Sequence, residues 1–399
     1  MNQQPKPIPI LFVHSSDELY GSDRVLLQLV SQIDRTKFEP IVVLPSDVSY
    51  KGVLNSLLTS QGITSHSIKM GVLRRRYFTP VGFITYLSYT VYGVCLLVSL
   101  IKRYQIRLVH SNTSAVWGGA FAAFICRLPH VWHIHEIIDE PSWMAIFIYK
   151  LVLKMSSSVV TVSSAVADHI RKIIPSNTQN LQTIWNGVDC DIFSPEADGQ
   201  SYRRKLDIRT ENILVGVVGR ISYRKGQKLF LTAMDQALQV LPQLRGVIVG
   251  DPITGEENWL EKLAAHASEL GIADKVHFIP FCKDIPQLMR ALDILVSPSI
   301  LPESLGLTIL EAMASERPVI ASAHGGPLQI IKSGETGFLF PPSNPTALAD
   351  TIVQLAQSST LRKSVGLNAR TYVIENFSLS SFQRGFEDLY SELLSTTKR

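Results

Sequence analysis

Short, uninterrupted apolar runs alternate with amphipathic stretches along this chain, and that alternation constrains the fold more than any other feature. In the N-terminal half the runs are ILFVH at 10–14, PIVVLP at 40–45, RLVHSN at 107–112, VWHIHE at 131–136, SVVTVS at 158–163 and LQTIWNG at 181–187. Continuous Val, Ile and Leu, without strict alternation of polar residues, indicates strands that are covered on both faces. The pattern predicts an α/β fold with a doubly wound parallel sheet.

A second series of the same kind follows residues 188–211, a polar and turn-rich segment that we interpret as a linker. Its apolar runs are ILVGVVGR, LRGVIVGD, KVHFIPF, DILVSPS, RPVIASA and GFLFPP. A length of 399 residues accommodates two domains. We therefore predict Rossmann-like domains at 1–195 and 196–377, followed by an amphipathic C-terminal helix at 378–399.

Charge, cysteine content and the N-terminus exclude several classes of protein. The chain has 38 Lys and Arg against 34 Asp and Glu, a net charge of +4, and no run of like charges that indicates nucleic acid. Its four cysteines are far apart and form no CxxC pair, which argues against a disulfide framework and for a reducing compartment. The N-terminus lacks the pattern of a signal peptide. We expect a cytoplasmic protein.

Residues 81–101 carry no charge and are long enough to cross a bilayer. Strand-like runs precede and follow this segment, and strands of one sheet cannot lie on opposite sides of a membrane. Its apolar residues recur at helical spacing, which predicts a buried or interfacial stripe of Leu87, Val91, Val94, Val98 and Ile101.

A basic and aromatic group, Arg74 to Phe78, directly precedes this helix and suits the surface of an anionic bilayer. Two interpretations stay open for the segment. One is peripheral contact with the inner face of the membrane, and the other is an ordinary helix that covers the sheet beside a solvated basic loop.

Two cations follow the first strand of the second series, in VVGRISYRKGQ. Open α/β sheets bind ligands at the carboxyl ends of their strands. There, Arg220 would offer a bidentate fork to a diphosphate and Lys225 a point charge. Two solvated surface cations would explain the same pattern.

Two glutamates, Glu303 and Glu311, stand before and inside the helix of PESLGLTILEAM. Gly306 opens this helix, and the free N–H groups of Leu307 and Thr308 form an anion site. Glu303 could then bind sugar hydroxyls and Glu311 a ribose. The alternative is a carboxylate favoured by the helix dipole, with Glu311 facing solvent. Downstream, the two glycines of HGGPLQII would let another backbone segment approach closely. An ordinary turn would explain them equally well.

In the first half, the loop after the first strand contains Gly21, Ser22 and Arg24 but no dinucleotide fingerprint. His133 and His135 would share one face of a strand. A metal pair would need a third ligand, which is not evident nearby. Two interpretations stay open: a histidine that faces a binding cleft, and a buried core histidine whose hydrogen bonds are made within the protein.

Together these motifs resemble the family-4 retaining glycosyltransferases of GT-B fold. The resemblance rests on GRISYRKG, IVGD, VHFIPFCKDIPQLMRALDILVSPS, PESLGLTILEAMASERPVIAS, GG and TGFLF, with GSDRVLLQLV, VSSAV and WNGVDCDIF in the first half. It implies two Rossmann-like doubly wound domains facing a cleft, with the C-terminal helix crossing back to the N-terminal, acceptor-side domain. The second domain would bind the donor, a nucleotide diphosphate sugar.

The resemblance also assigns roles to residues of this chain. Arg220 and Lys225 would hold the donor diphosphate and stabilise the leaving group, and Glu303 would contact the transferred sugar. Glu311 would bind the ribose, and His135 would lie near the sugar and acceptor. The other implied donor contacts are Gly219, Ser304, Leu305, Gly306, Leu307 and Thr308, and the implied acceptor side is Gly21, Ser22 and Arg24.

The implied reaction transfers a sugar, with retention at the anomeric carbon, to a sugar or lipid-linked acceptor in surface-polysaccharide or glycolipid assembly. A sugar-nucleotide epimerase and a catalytically silent nucleotide-sugar-binding subunit stay open. We predict no cofactor and no divalent metal, although Asp189-Cys190-Asp191 has the spacing of a metal-binding DxD. Aspartate favours turns, and a Lys, an Arg and a helix N-terminus already neutralise the phosphates.

Overall fold

The chain forms two compact units in the computed structural model, which describes residues 6–396 apart from 140, 253–257 and 281–283. One unit comprises Met1–Gly187 and Ser380–Arg399, and the other is Val188–Leu379. Each is built on one parallel sheet with helices, which confirms the predicted pair of Rossmann-like folds. One of the four cysteines, Cys282, lies outside the described residues.

The first unit has a parallel sheet in the order β3-β2-β1-β4-β5-β6-β7. Its strands are β1 (Ile8–Val13), β2 (Phe38–Pro45), β3 (Thr64–Ile68), β4 (Leu108–Asn112), β5 (His130–Ile134), β6 (Ser158–Thr161) and β7 (Leu181–Thr183). The helices between them are α1 (Gly21–Gln32), α2 (Val53–Ser60), α3 (Pro80–Arg103), α4 (Gly118–Cys126), α5 (Ser142–Met155) and α6 (Ser164–Ile173). Central β1 is fully buried from Ile10 to Val13, as expected for a strand covered on both faces.

The second unit has a parallel sheet in the order β10-β9-β8-β11-β12-β13. Its strands are β8 (Ile213–Val218), β9 (Leu244–Val249), β10 (Val276–Ile279), β11 (Ile294–Ser297), β12 (Val319–Ser322) and β13 (Phe338–Phe340). Its helices are α7 (Gly199–Lys205), α8 (Gln227–Val240), α9 (Asn258–Glu269), α10 (Ile285–Ala291), α11 (Leu307–Ala314), α12 (Pro327–Ile330), α13 (Pro345–Gln357) and α14 (Ser359–Asn376).

The last helix, α15 (Leu379–Thr396), returns to the first unit, as the resemblance implied. Its Tyr390 hydroxyl lies 2.7 Å from Nδ1 of His110, and Phe386 packs against the ring of His133. Glu387 accepts a hydrogen bond of 2.8 Å from the backbone N–H of Asp34. The first unit therefore contains both ends of the described chain.

The segment 188–211, interpreted above as a linker, is part of the second unit. The N–H of Val188 donates to the carbonyl of Phe377 at 2.9 Å, and α7 lies within the segment. On α7, Arg203 forms an ion pair of 2.8 Å with Asp293. The linker interpretation is wrong because these contacts hold the segment to the second unit, which begins at Val188, before the predicted boundary at 195.

Strand β3 was not predicted from the sequence. It reads TSHSI and is exposed or half-buried along its length, since it lies at the edge of the sheet. An edge strand with polar residues on both faces has no apolar run by which it could be recognised.

Helix α3 contains the uncharged segment 81–101 and is, within the described part of the chain, the one helix long and apolar enough to cross a membrane. It connects β3 to β4 within one sheet, in which β1 is hydrogen-bonded to both β2 and β4. A helix that crossed a bilayer would place bonded neighbours on opposite sides of it. The structure therefore agrees with the expectation that this helix does not span.

Leu87 and Val91 of the predicted stripe are 45% and 65% exposed, so a buried position is wrong for these two residues, and the interfacial alternative stays a prediction. The buried side consists of Tyr86, Thr90, Gly93, Leu97 and Ile101. A Cβ on Gly93 would lie 2.6 Å from Cβ of Met70, so α3 approaches the chain after β3 through its smallest residue. The inward side thus combines large residues with the small Gly93 and the polar Thr90, and many other large apolar residues of the helix stay exposed.

Candidate active site

Lys225 is positioned by a tight turn after β8. The residues Tyr223–Lys225 form a short 3-10 helix, and Gly226 follows it with φ of +69°. A Cβ on Gly226 would lie 1.9 Å from the carbonyl oxygen of Pro298, one residue after β11. Only glycine permits this approach, which brings the turn beside the loop that follows β11.

The same approach brings together the two predicted donor-site charges, although they are far apart in sequence. Nζ of Lys225 lies 2.6 Å from Oε1 of Glu303, and the hydroxyl of Ser299 donates to the same carboxylate. Burial alone would raise the pKa of Glu303, but the charge and hydrogen bond of Lys225, together with Ser299, lower it below its ordinary value. Glu303 is therefore an ionised hydrogen-bond acceptor at neutral pH.

The glycine pair Gly325-Gly326 holds the loop that carries Glu303. The N–H of Gly326 donates to the carbonyl of Glu303 at 2.8 Å. A Cβ on Gly325 would lie 2.4 Å from that carbonyl, and one on Gly326 would lie 2.5 Å from Cα of Leu305. These glycines are thus required by close backbone contact with the Glu303 loop.

Helix α11 begins directly after Gly306, whose φ is +96°. The N–H groups of Leu307 and Thr308 lie in its first turn, where a helix offers no acceptor of its own. Ser304 is half-buried and Leu305 buried in the loop before it. Glu311 is only 3% exposed, so the solvent-facing alternative for this residue is wrong.

Arg220 lies two residues after the end of β8, just past the strand as predicted, with an exposed side chain. The preceding Gly219 has φ of +149°. The amide Nε2 of Gln227, on the first turn of α8, donates to the carbonyl of Arg220 at 2.9 Å and closes the loop between β8 and α8. The loop thus carries both Arg220 and Lys225 at the carboxyl end of this strand.

In the first unit, a chain of hydrogen bonds leads from α1 to His135. Nε2 of His14 lies 2.6 Å from Oδ1 of Asp23, and Nδ1 of the same ring lies 3.0 Å from Nδ2 of Asn112. Oδ1 of Asn112 lies 2.8 Å from Nε2 of His135. Asp23 is also bonded by the N–H of Tyr20 at 2.7 Å.

The ionised carboxylate of Asp23 only accepts, and this sets the direction of every bond in the chain. His14 donates from Nε2, Asn112 donates to Nδ1 of His14, and His135 donates from Nε2 to Asn112. Burial, with a smaller contribution from His14, lowers the pKa of His135 to about 3. His135 is therefore neutral at physiological pH, with the lone pair on Nδ1.

Sequence reasoning missed His14, Asp23 and Asn112. Its predicted acceptor side, Gly21, Ser22 and Arg24, surrounds Asp23 on the first turn of α1, and the carbonyl of Ser22 accepts from Nδ2 of Asn112 at 3.3 Å. The sequence did contain an indication of these residues, because His14, Asn112 and His135 each stand at the carboxyl end of a strand. That edge is where ligands bind to open α/β sheets.

His133 belongs to the core. Its ring is fully buried, 4.1 Å from the ring of His135, and it packs against α15. Across the described residues, no group of three His, Cys, Asp or Glu side chains is placed to hold a metal ion. In the DxD sequence, Oδ1 of Asp189 accepts at 3.1 Å from the N–H groups of both Asp191 and Ile192, which is turn chemistry.

We expect Asp23→Asn to destabilise the first unit at neutral pH and to remove part of its acid sensitivity. Burial opposes ionisation of Asp23, but the hydrogen bonds from His14, Ser16 and the N–H of Tyr20 lower its pKa below 3.8. A lowered pKa contributes stability above pH 3.8 that is lost as the pH falls through the folded-state value. Urea unfolding of the variant should show a loss of about 1–3 kcal/mol at pH 7 that shrinks on acidification. The exposed Asp388→Asn serves as control, and an equal pH dependence in Asp23→Asn and wild type would contradict the assignment.

Two family models match successive parts of this chain. "Glycosyltransferase Family 4" matches residues 20–192, and "Glycosyl transferases group 1" matches residues 198–372. The chain belongs to the glycosyltransferases that these two models together describe. Its two parallel sheets are those of the GT-B fold.

Similar proteins include two from Bacillus subtilis strain 168. Spore coat protein SA is 32% identical over 245 residues, a match that covers 59% of this chain but 64% of that relative, less than two thirds of its length. Putative glycosyltransferase EpsD is 27% identical, with 80% of this chain and 83% of the relative covered. The Anabaena protein Alr3699/HepE, solved in complex with UDP-glucose, has a TM-score of 0.81 and 26% identity, covering 96% of this chain and 100% of that one.

Proposed function

We propose that this protein transfers a hexose from a UDP-sugar to an acceptor hydroxyl with retention of anomeric configuration. The observation that carries the proposal is the Lys225–Glu303 pair, with Nζ and Oε1 2.6 Å apart at the carboxyl edge of the second sheet. An ammonium group suits a diphosphate, and an ionised carboxylate suits sugar hydroxyls. The UDP-glucose bound to Alr3699/HepE supports a donor of this class.

The chemical contribution of these residues follows from where charge develops. As the bond from the anomeric carbon to the phosphate oxygen breaks, negative charge grows on the leaving diphosphate. Lys225, Arg220 and the N–H groups at the start of α11 stabilise that charge. The acceptor oxygen bonds to the anomeric carbon on the face that the diphosphate leaves, and its proton passes to the departing phosphate. Glu303 and Glu311 hold the donor and do not act as the carboxylate pair of a glycosidase.

The reaction proposed here needs no divalent cation. Asp189 already uses its carboxylate to close its own turn, and the cations of the donor site neutralise the phosphates instead. In the first unit, the lone pair on Nδ1 of neutral His135 is suited to accept a hydrogen bond from a sugar hydroxyl.

One experiment tests donor, stereochemistry and metal together. Among a panel of nucleotide sugars, we expect a UDP-hexose to raise the melting temperature of the protein most. NMR of the product should show retention of the anomeric configuration. Activity should persist in excess EDTA. Inversion, or activity lost in EDTA and restored by Mn²⁺, contradicts the corresponding part of the proposal. A second nucleotide sugar formed without acceptor identifies an epimerase, and binding without turnover a silent subunit.

We further propose that the protein works at the surface of the membrane, in surface-polysaccharide or glycolipid assembly. Helices α3, α4 and α5, with one residue two positions before α3, expose a set of large apolar side chains that we name the apolar face. Its members are Phe78, Val81, Phe83, Ile84, Leu87, Val91, Tyr92, Phe124, Ile125, Trp143, Ile146 and Phe147. Clustered exposed apolar residues of this kind mark interaction surfaces.

The charge around the apolar face indicates an anionic bilayer as its partner. The sequence between Asp47 and Glu136 contains no acidic residue. The same stretch contains nine cations: Lys51, Lys69, Arg74, Arg75, Arg76, Lys102, Arg103, Arg107 and Arg127. The members of the apolar face on α3 and α4 thus lie in a stretch of sequence whose charged residues are all cations, which suits the headgroup region of anionic lipids. Those on α5 follow the acidic residues Asp139 and Glu140 in the sequence.

We expect the wild type to float with phosphatidylglycerol-containing vesicles at low salt, and Ile84→Ser/Val91→Ser to bind at least about tenfold more weakly. Both side chains are 65% exposed, so their loss should not affect folding. The control is Val240→Ser/Leu367→Ser, two side chains of the second unit that are each 58% exposed. No flotation of the wild type, or equal losses in the two variants, would remove the membrane proposal.

A further inference from the structure

A cavity of about 350 Å³ lies at the amino edge of the first sheet. It is lined by residues at and after the ends of α4 and α5 and by His130, the first residue of β5. His135 follows the other end of the same strand, about 16 Å away at about 3.3 Å per residue. None of the residues assigned above to the donor or the acceptor lines this cavity.

Two exposed cations line the cavity, Arg127 directly after α4 and Lys154 in the last turn of α5. None of the ion pairs among the described residues includes either side chain. The sequence also contains no Asp or Glu at 48–135 or at 141–167. Both walls of the cavity therefore come from segments whose charged side chains are all basic.

A cation in the last turn of a helix can serve only to balance the helix dipole. At the end of α5, however, a neutral side chain bonds the free carbonyls. Nδ2 of Asn180 donates to the carbonyls of Leu153 and Ser156 at 3.0 and 2.8 Å. The end of the helix is satisfied in this way, so the ammonium group of Lys154 stays available to a ligand.

The end of α4 is closed by its own backbone. The N–H of Leu128 donates to the carbonyl of Ala123 at 2.9 Å, and the N–H of Arg127 to that of Phe124 at 3.2 Å. Arg127 has φ of +54°, a left-handed conformation in which glycine is the usual residue at a helix end. The chain thus places a guanidinium here although the helix end does not require it and the backbone conformation disfavours it.

Two serine hydroxyls add uncharged donors to the cavity. Burial lowers the pKa of His130 to about 3, so its ring is neutral at physiological pH. Nδ1 carries the ring proton, because the carbonyl of Met155 at 3.3 Å can only accept, and Oγ of Ser156 lies at 3.3 Å from the same nitrogen. Oγ of Ser157 accepts from the backbone N–H of His130 at 3.2 Å. Both serine oxygens accept from His130, which leaves their protons for a ligand.

We propose that this cavity binds a phosphate group through Arg127, Lys154 and the hydroxyls of Ser156 and Ser157. Cations and hydroxyl donors, with no carboxylate among them, suit the charge and the acceptor oxygens of a phosphate. Two sources supply such a group, free inorganic phosphate and the headgroup of an anionic lipid. Phe124, which is 76% exposed and belongs to the apolar face, also lines the cavity and favours the lipid. The site goes beyond the transferase function, because it is a second phosphate site away from the reacting groups.

Titration calorimetry of the full chain with inorganic phosphate tests the site, at constant ionic strength and with saturating UDP to keep phosphate out of the donor site. We expect Arg127→Gly/Lys154→Gln to bind phosphate at least about tenfold more weakly than the wild type, since two charge-assisted bonds are lost. Glycine is suited to φ of +54°, so this variant should fold. The matched control is Lys102→Gln/Lys150→Gln, two exposed cations of the same unit that do not line the cavity.

Flotation with phosphatidylglycerol-containing vesicles distinguishes the two sources. A lipid headgroup in the site predicts that Arg127→Gly/Lys154→Gln binds vesicles at least about tenfold more weakly than the control, although both lose two charges. Equal flotation of the two variants, with phosphate binding lost only in the first, identifies free phosphate. Equal phosphate affinity in the two variants, or no phosphate binding by the wild type, would overturn the site. Failure of the wild type to bind any nucleotide sugar would overturn the proposed function and leave this comparison of variants intact.

Discussion

Lys225→Ala is expected to lower kcat by about two to three orders of magnitude, since removal of one preorganised charge contact costs about 2.7–4 kcal/mol in a transition state. Lys225 is the cation that the turn after β8 fixes beside Glu303, 2.6 Å from its carboxylate. Steady-state kinetics with a UDP-hexose measure the effect. The exposed Lys228→Ala, on the next turn of the chain, is the matched control and should retain wild-type kcat.

The variant should also change the ionisation of Glu303. The charge and hydrogen bond of Lys225 offset the effect of burial on that carboxyl, so their removal lets burial raise the pKa of Glu303. The acidic limb of the kcat profile should therefore move to higher pH. Lys225→Arg, which keeps the charge, should restore part of the rate. Near-normal kcat in Lys225→Ala would refute the role assigned to this residue.

Gly226→Ala is expected to destabilise the second unit by about 3 kcal/mol or more, as the sum of a left-handed backbone conformation and an overpacked contact. The backbone of Gly226 has φ of +69°, and an added Cβ would meet the carbonyl oxygen of Pro298 at 1.9 Å. Thermal unfolding followed by calorimetry should show a melting temperature lowered by about 6–12 °C.

The matched control for this prediction is Gly271→Ala. Gly271 has φ of +71°, nearly the same as Gly226, but nothing lies within 4 Å of its added Cβ. Its substitution tests the conformational cost alone, about 1–2 kcal/mol. Equal destabilisation of the two variants would show that the approach to Pro298 contributes nothing. A larger loss in Gly226→Ala, with reduced turnover, would show that this contact positions Lys225.

The parts of this protein that follow from local pattern were predictable. Runs such as IVVL and GVIV are buried on both faces of a sheet, and their order along the chain indicates two parallel sheets. Lys225 and Glu303 were also found, since each stands beside a strand or helix end of a recognisable motif. Their 2.6 Å contact was not, because it depends on how closely Gly226 approaches Pro298.

What escaped prediction depends on contacts between distant segments. The chain Asp23–His14–Asn112–His135 joins residues near the ends of three strands, and no local spacing relates them. The orientation of α3 also could not be read from periodicity, because the helix is apolar on more than one side. The close approach of Gly93 to Met70 marks the side of α3 that faces inward.

The return of α15 to the first unit has a consequence for the way this protein is synthesised. Phe386 and Tyr390 of α15 pack against the rings of His110 and His133, so the N-terminal core stays incomplete until α15 has been translated. The second unit, whose residues are contiguous, leaves the ribosome first as a complete folding unit. The nascent first unit meanwhile exposes the apolar surface that α15 later covers, and a truncation before α15 would leave that surface exposed permanently.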